Sequence, residues 1–268
     1  MPLFASRSTP RERCRSFATH QYAAVAFCVG GRSRIEQRQR WTLEAGDVLL
    51  IPSGEPHRWL ELQRPEWWTL GFCVPCFASD DDGSMLEPFE RVREGGSAVV
   101  QVPHERHIFL ETLFHELSAM TDPRRPAAPP AVQRSLLTLV LNEVRAAARW
   151  GDAVPGQPGV AVESLRFIER NCLRPLTLKE VARAVGKNPA YVTSALSRAT
   201  GRSAVEWIIA GRLAEARRML LHSDERIDVI AERVGYADAT HFIRLFRREH
   251  GATPAAWRAA RQRPALSV

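Results

Sequence analysis

Two cysteines have the type and spacing that could support redox or metal chemistry. Cys73 and Cys76 form a C-x2-C pair, which can act as a redox switch or as half of a metal site in a reducing compartment. No second C-x2-C lies nearby, so a structural zinc site has little support. The pair then has two interpretations, a redox switch or two small buried hydrophobic side chains. The total of five cysteines is odd, which argues against a disulfide framework.

Arginines in the last hundred residues have the chemistry to bind nucleic acid. Residues 1–159 contain 18 Lys and Arg against 19 Asp and Glu, whereas residues 160–268 contain 19 against 11. The net charge of +7 therefore comes from the C-terminal part of the chain. Such an excess favours a polyanionic partner, because neutralising phosphates releases counterions. A solvated arginine-rich surface would give the same count, so charge alone does not decide.

An internal repeat in this basic region supplies the elements that would position those arginines. Residues 177–207 align with residues 226–257 at an offset of 49, which becomes 50 after a turn that has one extra residue in the second copy. In each copy a glycine ends one short helix, and the next helix has apolar residues on one side only. This pattern is typical of a helix-turn-helix unit, whose second helix enters the major groove of DNA. A helical bundle with duplicated packing is the alternative.

The second copy, IDVIAERVGYADATHFIRLFRREHGATPAAWR at 227–258, resembles the signature of the AraC/XylS transcription regulators. The resemblance covers residues 160–262. It implies seven helices, with a linker helix over about Ala204–Leu221 between the two units. It also implies a ligand-responsive activator with promoter DNA, RNA polymerase and a small-molecule effector as partners. The two recognition helices would enter adjacent major-groove segments.

The outward faces of these two recognition helices are the expected DNA contacts. Arg244 is the candidate for a base edge, because Arg can pair bidentately with guanine. Arg198, Arg247 and Arg248 are expected to bind phosphates, which positions the protein without specifying sequence. The first helix has no Lys or Arg at its tip, so we expect weaker, water-mediated or shape-based recognition there. The other outward residues are Ala190, Thr193, Ser194, Ser197, Ala239, Thr240 and Ile243.

The N-terminal part contains one motif, G-D-x4-P-x-G-x2-H at residues 46–57, which resembles the second motif of cupin barrels. It also resembles the sensor domains of the same regulator family. That resemblance implies ligand binding in a barrel mouth, with Trp41, His57 and Trp59 as candidates. A hydrogen-bonded turn histidine and core tryptophans are the alternatives. A cupin metal site needs an H-x-H pair, and residues 24–45 contain no histidine, so we expect no metal, no cofactor and no catalytic residue.

The chain of 268 residues is predicted to be an α+β protein of two domains. Short strands broken by Gly and Pro predict a cupin-like β-barrel, and two helices at 104–121 and 131–149 follow it. By resemblance these helices would pack on the barrel and form a homodimer contact. The predicted segments are a flexible lead-in at 1–16, the sensor domain at 17–150, a linker at 151–159, the all-α DNA-binding domain at 160–262 and a tail at 263–268.

A ligand-responsive transcription regulator accounts for the repeat, the charge distribution and the barrel motif together. A cupin-type enzyme with an appended helical domain would need the missing metal pair. An architectural DNA-binding protein would not explain the neutral first domain. A redox-sensing regulator that uses Cys73 and Cys76 stays open. Without an apolar run of secretory or transmembrane length, we expect a cytoplasmic, nucleoid-associated protein that does not bind membranes.

Overall fold

The computed structural model describes residues 3–9, 16–78, 84–122, 124–125, 128–148 and 159–262. An antiparallel sheet forms most of the N-terminal half, and helices form the C-terminal half. The α+β organisation in two domains is therefore confirmed. Among the described residues, no helix combines the length and the apolar character needed to cross a membrane.

Six strands of the described residues form one antiparallel sheet in the order β1-β5-β2-β4-β6, with β3 paired to β2. Two strands are 15 residues long, so they exceed the short strands that the frequent Gly and Pro suggested. Their pairing shifts register near Gly30 and Arg34, and such irregularities bend a long strand pair. The strands are β1 (Leu3–Ser8), β2 (Ala23–Gln37), β3 (Gln39–Leu43), β4 (Asp47–Ile51), β5 (Arg58–Phe72) and β6 (Val99–Gln101).

Strand β1 corrects the prediction of a flexible lead-in at residues 3–8 of the predicted range 1–16. It pairs antiparallel with β5, and the Arg7 guanidinium donates to Glu66 at 2.9 Å. Ala5 is the only buried residue of β1, and its amide donates to the Thr121 hydroxyl at 3.2 Å. The strand was missed because an edge strand with one buried residue shows no hydrophobic alternation.

Helices of the first domain pack on this sheet and close its core. Of the four α-helices in the described part of this domain, the last two correspond to the helices predicted at 104–121 and 131–149. The first two were not predicted, and the first begins within residues 66–77, whose β-branched and aromatic residues also suit a strand. Trp67 and Trp68 are buried, so they are core residues. The helices are α1 (Val74–Ala78), α2 (Glu87–Arg93), α3 (His107–Thr121) and α4 (Pro130–Ala148).

Seven helices form the second domain, as the family resemblance implies. They build two hydrophobic clusters, one for each helix-turn-helix unit. The fourth of the seven contributes Trp207 to the first cluster and Leu213 to the second, and it begins at the predicted residue and ends one residue later. The helices are α5 (Val160–Asn171), α6 (Leu178–Ala184), α7 (Pro189–Thr200), α8 (Ala204–His222), α9 (Ile227–Arg233), α10 (Ala239–His250) and α11 (Pro254–Gln262).

The predicted linker at 151–159 lies outside the described residues except for Gly159, and the tail at 263–268 lies outside them as well. The domain boundary therefore remains a prediction. Gly159 has an extended backbone at the start of α5.

A buried ion pair, here called the interdomain clamp, joins the two domains. Arg93 at the end of α2 donates to both carboxylate oxygens of Glu169 on α5, at 2.7 and 2.8 Å, and to the Ser53 hydroxyl at 2.8 Å. The Ser53 hydroxyl in turn donates to Glu169. Burial alone would lower the pKa of Arg93, but the charge and hydrogen bonds of Glu169 together with the charges of Glu90 and Glu55 outweigh burial, so the pKa is raised. The clamp therefore holds a charged pair inside the protein.

The loop after β4 also touches the second domain at Gly54, which belongs to the cupin-like motif. This residue has a φ of +76°, and a Cβ placed on it would lie 2.9 Å from Trp207 Cζ2 and 3.2 Å from both Leu165 and Thr200. Only glycine suits both the backbone conformation and this close approach. The motif thus ends in a loop that packs on the DNA-binding domain.

Candidate nucleic-acid interface

Local signals start and stop the helices of both helix-turn-helix units. Asn188 caps α7 by accepting from the Tyr191 amide at 2.8 Å, and Asp238 caps α10 by accepting from the Thr240 amide at 2.8 Å. Gly186 and Gly235 follow the ends of α6 and α9 with φ values of +62° and +88°, the left-handed conformation expected after a helix. The turns span residues 185–188 and 234–238. The extra residue predicted in the second turn is therefore confirmed.

Each recognition helix buries one side and exposes the other. Helix α7 buries Val192 and Leu196, and α10 buries Phe242, Leu245 and Phe246. None of the eleven predicted DNA-contact residues is buried. The exposed ones are Ala190, Ser194, Ser197, Arg198, Thr240, Arg244, Arg247 and Arg248, and the partly exposed ones are Thr193, Ala239 and Ile243.

These residues form one exposed stripe on each helix, and we call the two stripes the reading faces. Positions 190, 193, 194, 197 and 198 of α7 are three or four residues apart, and so are positions 240, 243, 244, 247 and 248 of α10. That spacing places side chains on the same side of a helix. The constant offset of 50 makes the two reading faces equivalent in position.

The two reading faces differ in charge. The α10 face has three arginines, Arg244, Arg247 and Arg248, whereas the α7 face has only Arg198. Arg198 donates to the Ser194 carbonyl on its own helix at 3.3 Å, and Arg248 lies 3.4 Å from Glu249. The α10 face thus offers more groups suited to base edges and phosphates.

Tyr191 is a surface residue that the sequence analysis missed. It is the third residue of α7, and 47% of its surface is exposed. The offset of 50 pairs it with His241, which is also exposed. This offset, together with an aromatic residue outside the apolar stripe, could have identified it. Its ring gives the α7 face an apolar group that can contact a thymine methyl.

Arg212 of α8 links the two helix-turn-helix units. It is buried, and its guanidinium donates to the Cys172 carbonyl at 2.7 Å and to the Arg174 carbonyl at 2.9 Å, just after α5. The same guanidinium lies 4.9 Å from the centre of the Tyr236 ring in the second turn. A Cβ on Gly235 would lie 3.0 Å from the Arg174 carbonyl oxygen. One side chain therefore ties the first unit to the turn of the second.

The three candidate ligand residues of the first domain are all partly or fully buried. Trp41 and Trp59 lie opposite Ile35 on the two neighbouring strands, and both pack partly buried against the core. His57 is buried, its Nδ1 lies 3.1 Å from the Glu55 carbonyl oxygen, and burial lowers its pKa. This is the hydrogen-bonded turn histidine that the sequence left as an alternative. Within the described ranges, no group of three or more His, Cys, Asp or Glu could hold a metal ion.

The C-x2-C pair forms a disulfide. Cys73 and Cys76 are both buried at the start of α1, with Cα atoms 5.4 Å apart. Cys28 and Cys172 are free and buried, and burial raises the pKa of their thiols to about 11 and about 12. High pKa values make these two thiols poor nucleophiles. Of these four cysteines, Cys73 and Cys76 are therefore the two that are suited to redox chemistry.

Comparisons with known proteins agree with this geometry. A model described as a helix-turn-helix domain matches residues 181–260. YobQ, an uncharacterized HTH-type transcriptional regulator from Bacillus subtilis, is 33% identical over 35% of this chain and 39% of its own length. RipA, an HTH-type transcriptional regulator from Corynebacterium glutamicum, is 28% identical over 87% of this chain and 60% of its own length. The C-terminal domain of AraT, a response regulator from Geobacillus stearothermophilus, has a TM-score of 0.38 at 25% identity and covers 41% of this chain and 91% of that domain.

The chain covers less than two thirds of the length of either relative. The shared region with YobQ is about the size of the second domain, and the matched model spans α6 to most of α11. That domain contains the helices α5 to α11, which include both helix-turn-helix units, and the signature at 227–258. Residues 181–260 of the second domain therefore match a helix-turn-helix domain, and this match agrees with the sequence resemblance to the AraC/XylS regulators.

Proposed function

We propose that the whole chain is a sequence-specific transcription regulator that binds two adjacent major-groove segments of double-stranded DNA. The single observation that supports this most is the pair of equivalent, exposed reading faces on α7 and α10. Neither face is covered by the first domain, since every predicted contact residue is exposed or partly exposed. A regulator of this kind needs both faces exposed and at a fixed distance from each other. The contacts of Arg212 connect the two helix-turn-helix units that carry these faces.

Mapping of bound DNA across the genome, followed by binding measurements on the mapped duplexes, tests the proposal. Wild-type protein should bind a mapped duplex at least a hundredfold more tightly than a random duplex, with an affinity that falls steeply as salt rises. Arg244→Ala should remove most of that preference, because base contacts specify sequence. Arg124→Ala, in the first domain with an 88% exposed side chain, is the matched control and should change nothing. Equal affinity for mapped and random duplexes would refute sequence-specific regulation.

The same proposal includes control by a small-molecule effector, activation of transcription and contact with RNA polymerase. The family resemblance supports them, together with a cytoplasmic, nucleoid-associated location. In the first domain the effector would contact Trp41, His57 and Trp59. Reporter assays with the mapped promoter decide the sign of regulation, because deletion of an activator lowers expression and deletion of a repressor raises it.

A homodimer formed through α3 and α4 is also proposed. Both helices expose apolar side chains, among them Ile108, which is 82% exposed, and Leu139, which is 43% exposed. Exposed apolar side chains on neighbouring helices favour association. Sedimentation of wild type against Ile108→Glu and Leu139→Glu tests this: monomeric variants support the interface, and a wild type that is itself monomeric at all concentrations refutes it.

The disulfide between Cys73 and Cys76 is the observation behind a second candidate function, a thiol-based redox sensor. Cys73 and Cys76 would then switch between dithiol and disulfide when the cell is oxidised. The Cys73→Ser and Cys76→Ser double variant should lose any promoter response to oxidant. A response that is unchanged in this variant removes the thiol-sensor function.

A further inference from the structure

An apolar cavity lies between the first domain and the DNA-binding domain. Its volume is about 480 Å³, within the range of ligand pockets. The first domain contributes Phe4 and Tyr22, and the second contributes Trp207, Ala210 and Ala214. On α8 the lining residues recur every three or four positions from 207 to 221, so one whole side of that helix forms a wall.

This cavity is separate from the candidate site within the sheet. Trp41, His57 and Trp59 are all absent from its walls. Residues of both domains form its walls, whereas Trp41, His57 and Trp59 all belong to the first domain. The resemblance to the cupin motif therefore gives no indication of what this cavity binds.

The charged side chains on its walls already have partners. Glu169 is bound by Arg93 in the interdomain clamp. Arg218 donates to Glu215 at 2.8 and 2.9 Å, and Arg217 is not free either. A charged ligand would have to compete with these pairs, whereas an uncharged ligand would not. The remaining surface is mostly apolar and includes the rings of Phe4, Tyr22, Trp207 and Trp257, which suit the flat faces of a ring compound.

We propose that this interdomain cavity binds an uncharged, predominantly apolar ring compound. The inference rests on the proposed ligand-responsive function and adds a second ligand site, between the domains, to the candidate site at Trp41, His57 and Trp59. A ligand there contacts α8, which packs into the hydrophobic clusters of both helix-turn-helix units, and Glu169, which belongs to the clamp. Because both domains supply walls, the ligand binds the docked arrangement and stabilises it by its binding free energy.

The test uses the full-length protein and the uncharged dye Nile red, whose fluorescence rises in apolar surroundings. Wild type should bind the dye saturably. Ala210→Phe and Ala214→Phe place a ring in the cavity from the α8 wall and should weaken dye binding at least tenfold. Val205→Ser is the matched control, because it removes an exposed apolar side chain of the same helix, α8, that is absent from the cavity walls. It should bind the dye as wild type does.

Equal dye binding in wild type and both phenylalanine variants overturns the proposal, and so does loss of binding in Val205→Ser alone. Tighter binding of the anionic dye anilinonaphthalene sulfonate than of Nile red overturns the uncharged ligand class. Thermal unfolding and DNA binding of Ala210→Phe and Ala214→Phe show that they fold. If the dye binds in the cavity but the protein shows no sequence-specific DNA binding, the proposed function fails and the cavity site stands.

Discussion

At the residue scale, the two reading faces differ in how they can recognise DNA. The α10 face has three guanidinium groups that can pair with guanine edges and phosphates, whereas the α7 face has one, on Arg198, beside hydroxyls, an alanine and the Tyr191 ring. Hydroxyl groups bond to several base edges, and apolar groups select thymine methyls. The two adjacent DNA segments should therefore be recognised by different chemistry.

Tyr191→Ala tests this division. Loss of the ring should weaken binding to the mapped duplex about fivefold, since contact of part of an aromatic ring contributes roughly 1 kcal/mol. The loss should be confined to the segment that α7 contacts, as measured by titrating duplexes with single base changes. Tyr191→Phe keeps the ring and should bind as wild type does. Wild-type affinity in Tyr191→Ala would show that the ring does not contact DNA.

His20 gives the first domain a pH dependence with a definite sign. Burial, and then the charge of His57, lowers the pKa of His20 to about 4. The unfolded chain protonates this residue below its ordinary pKa of 6.5, so it binds more protons than the folded chain between pH 6.5 and about 4. The free energy of unfolding should therefore fall as pH is lowered through that window, and His57 should add to the effect.

Urea unfolding at pH 7, 6 and 5 measures this dependence. His20→Gln should lose less free energy of unfolding between pH 7 and pH 5 than wild type does. His241→Gln, at an exposed position on α10, should follow the wild-type curve. An identical slope in wild type and His20→Gln would contradict the assignment.

At the element scale, Arg212 should fix the distance between the two reading faces. Its guanidinium satisfies two carbonyl oxygens after α5 and contacts the turn before α10. Arg212→Ala should cost about 1–3 kcal/mol of unfolding free energy, because buried carbonyls lose their donors. It should also let the two units move relative to each other.

Binding to duplexes with one base pair inserted between the two segments measures that freedom. The insertion should weaken wild type at least tenfold and Arg212→Ala by a smaller factor. Arg124→Ala is again the control and should match wild type. Equal loss in wild type and Arg212→Ala would mean that other contacts of α8 set the spacing.

Helix α8 and the two turns of the helical domain were predictable to within about a residue because their signals are local. Side-chain caps start α6, α7 and α10, a glycine follows each short helix of the two units, and the apolar stripe of the second helix recurs in both copies. The first domain was less predictable. Strand β1 has a single buried residue, and α1 begins within a hydrophobic run that also suits a strand. Short apolar runs do not distinguish the two structures.

At the scale of the whole molecule, the most important unpredicted feature is the contact between domains. Arg93 and Glu169 are separated by 76 residues, and each looks like an ordinary charged residue of an amphipathic helix. Gly54 belongs to the cupin-like motif, and its contact with Trp207 requires the fold of both domains. No local pattern encodes such pairs, because they depend on how two finished surfaces meet.

The interdomain clamp should matter more for stability than for DNA binding. Glu169→Ala removes the carboxylate that neutralises Arg93, and the nearest remaining carboxylate, Glu90, is 3.6 Å away. Breaking a buried ion pair by removing one partner costs about 3 kcal/mol or more. Glu44→Ala breaks an exposed pair with Arg32 and should cost under about 0.5 kcal/mol.

Urea unfolding of both variants should show this difference in the free energy of unfolding. The affinity of Glu169→Ala for the mapped duplex should stay at the wild-type value, because Glu169 lies on α5, outside the reading faces. A Glu169→Ala protein as stable as Glu44→Ala would show that the clamp does not hold the domains together.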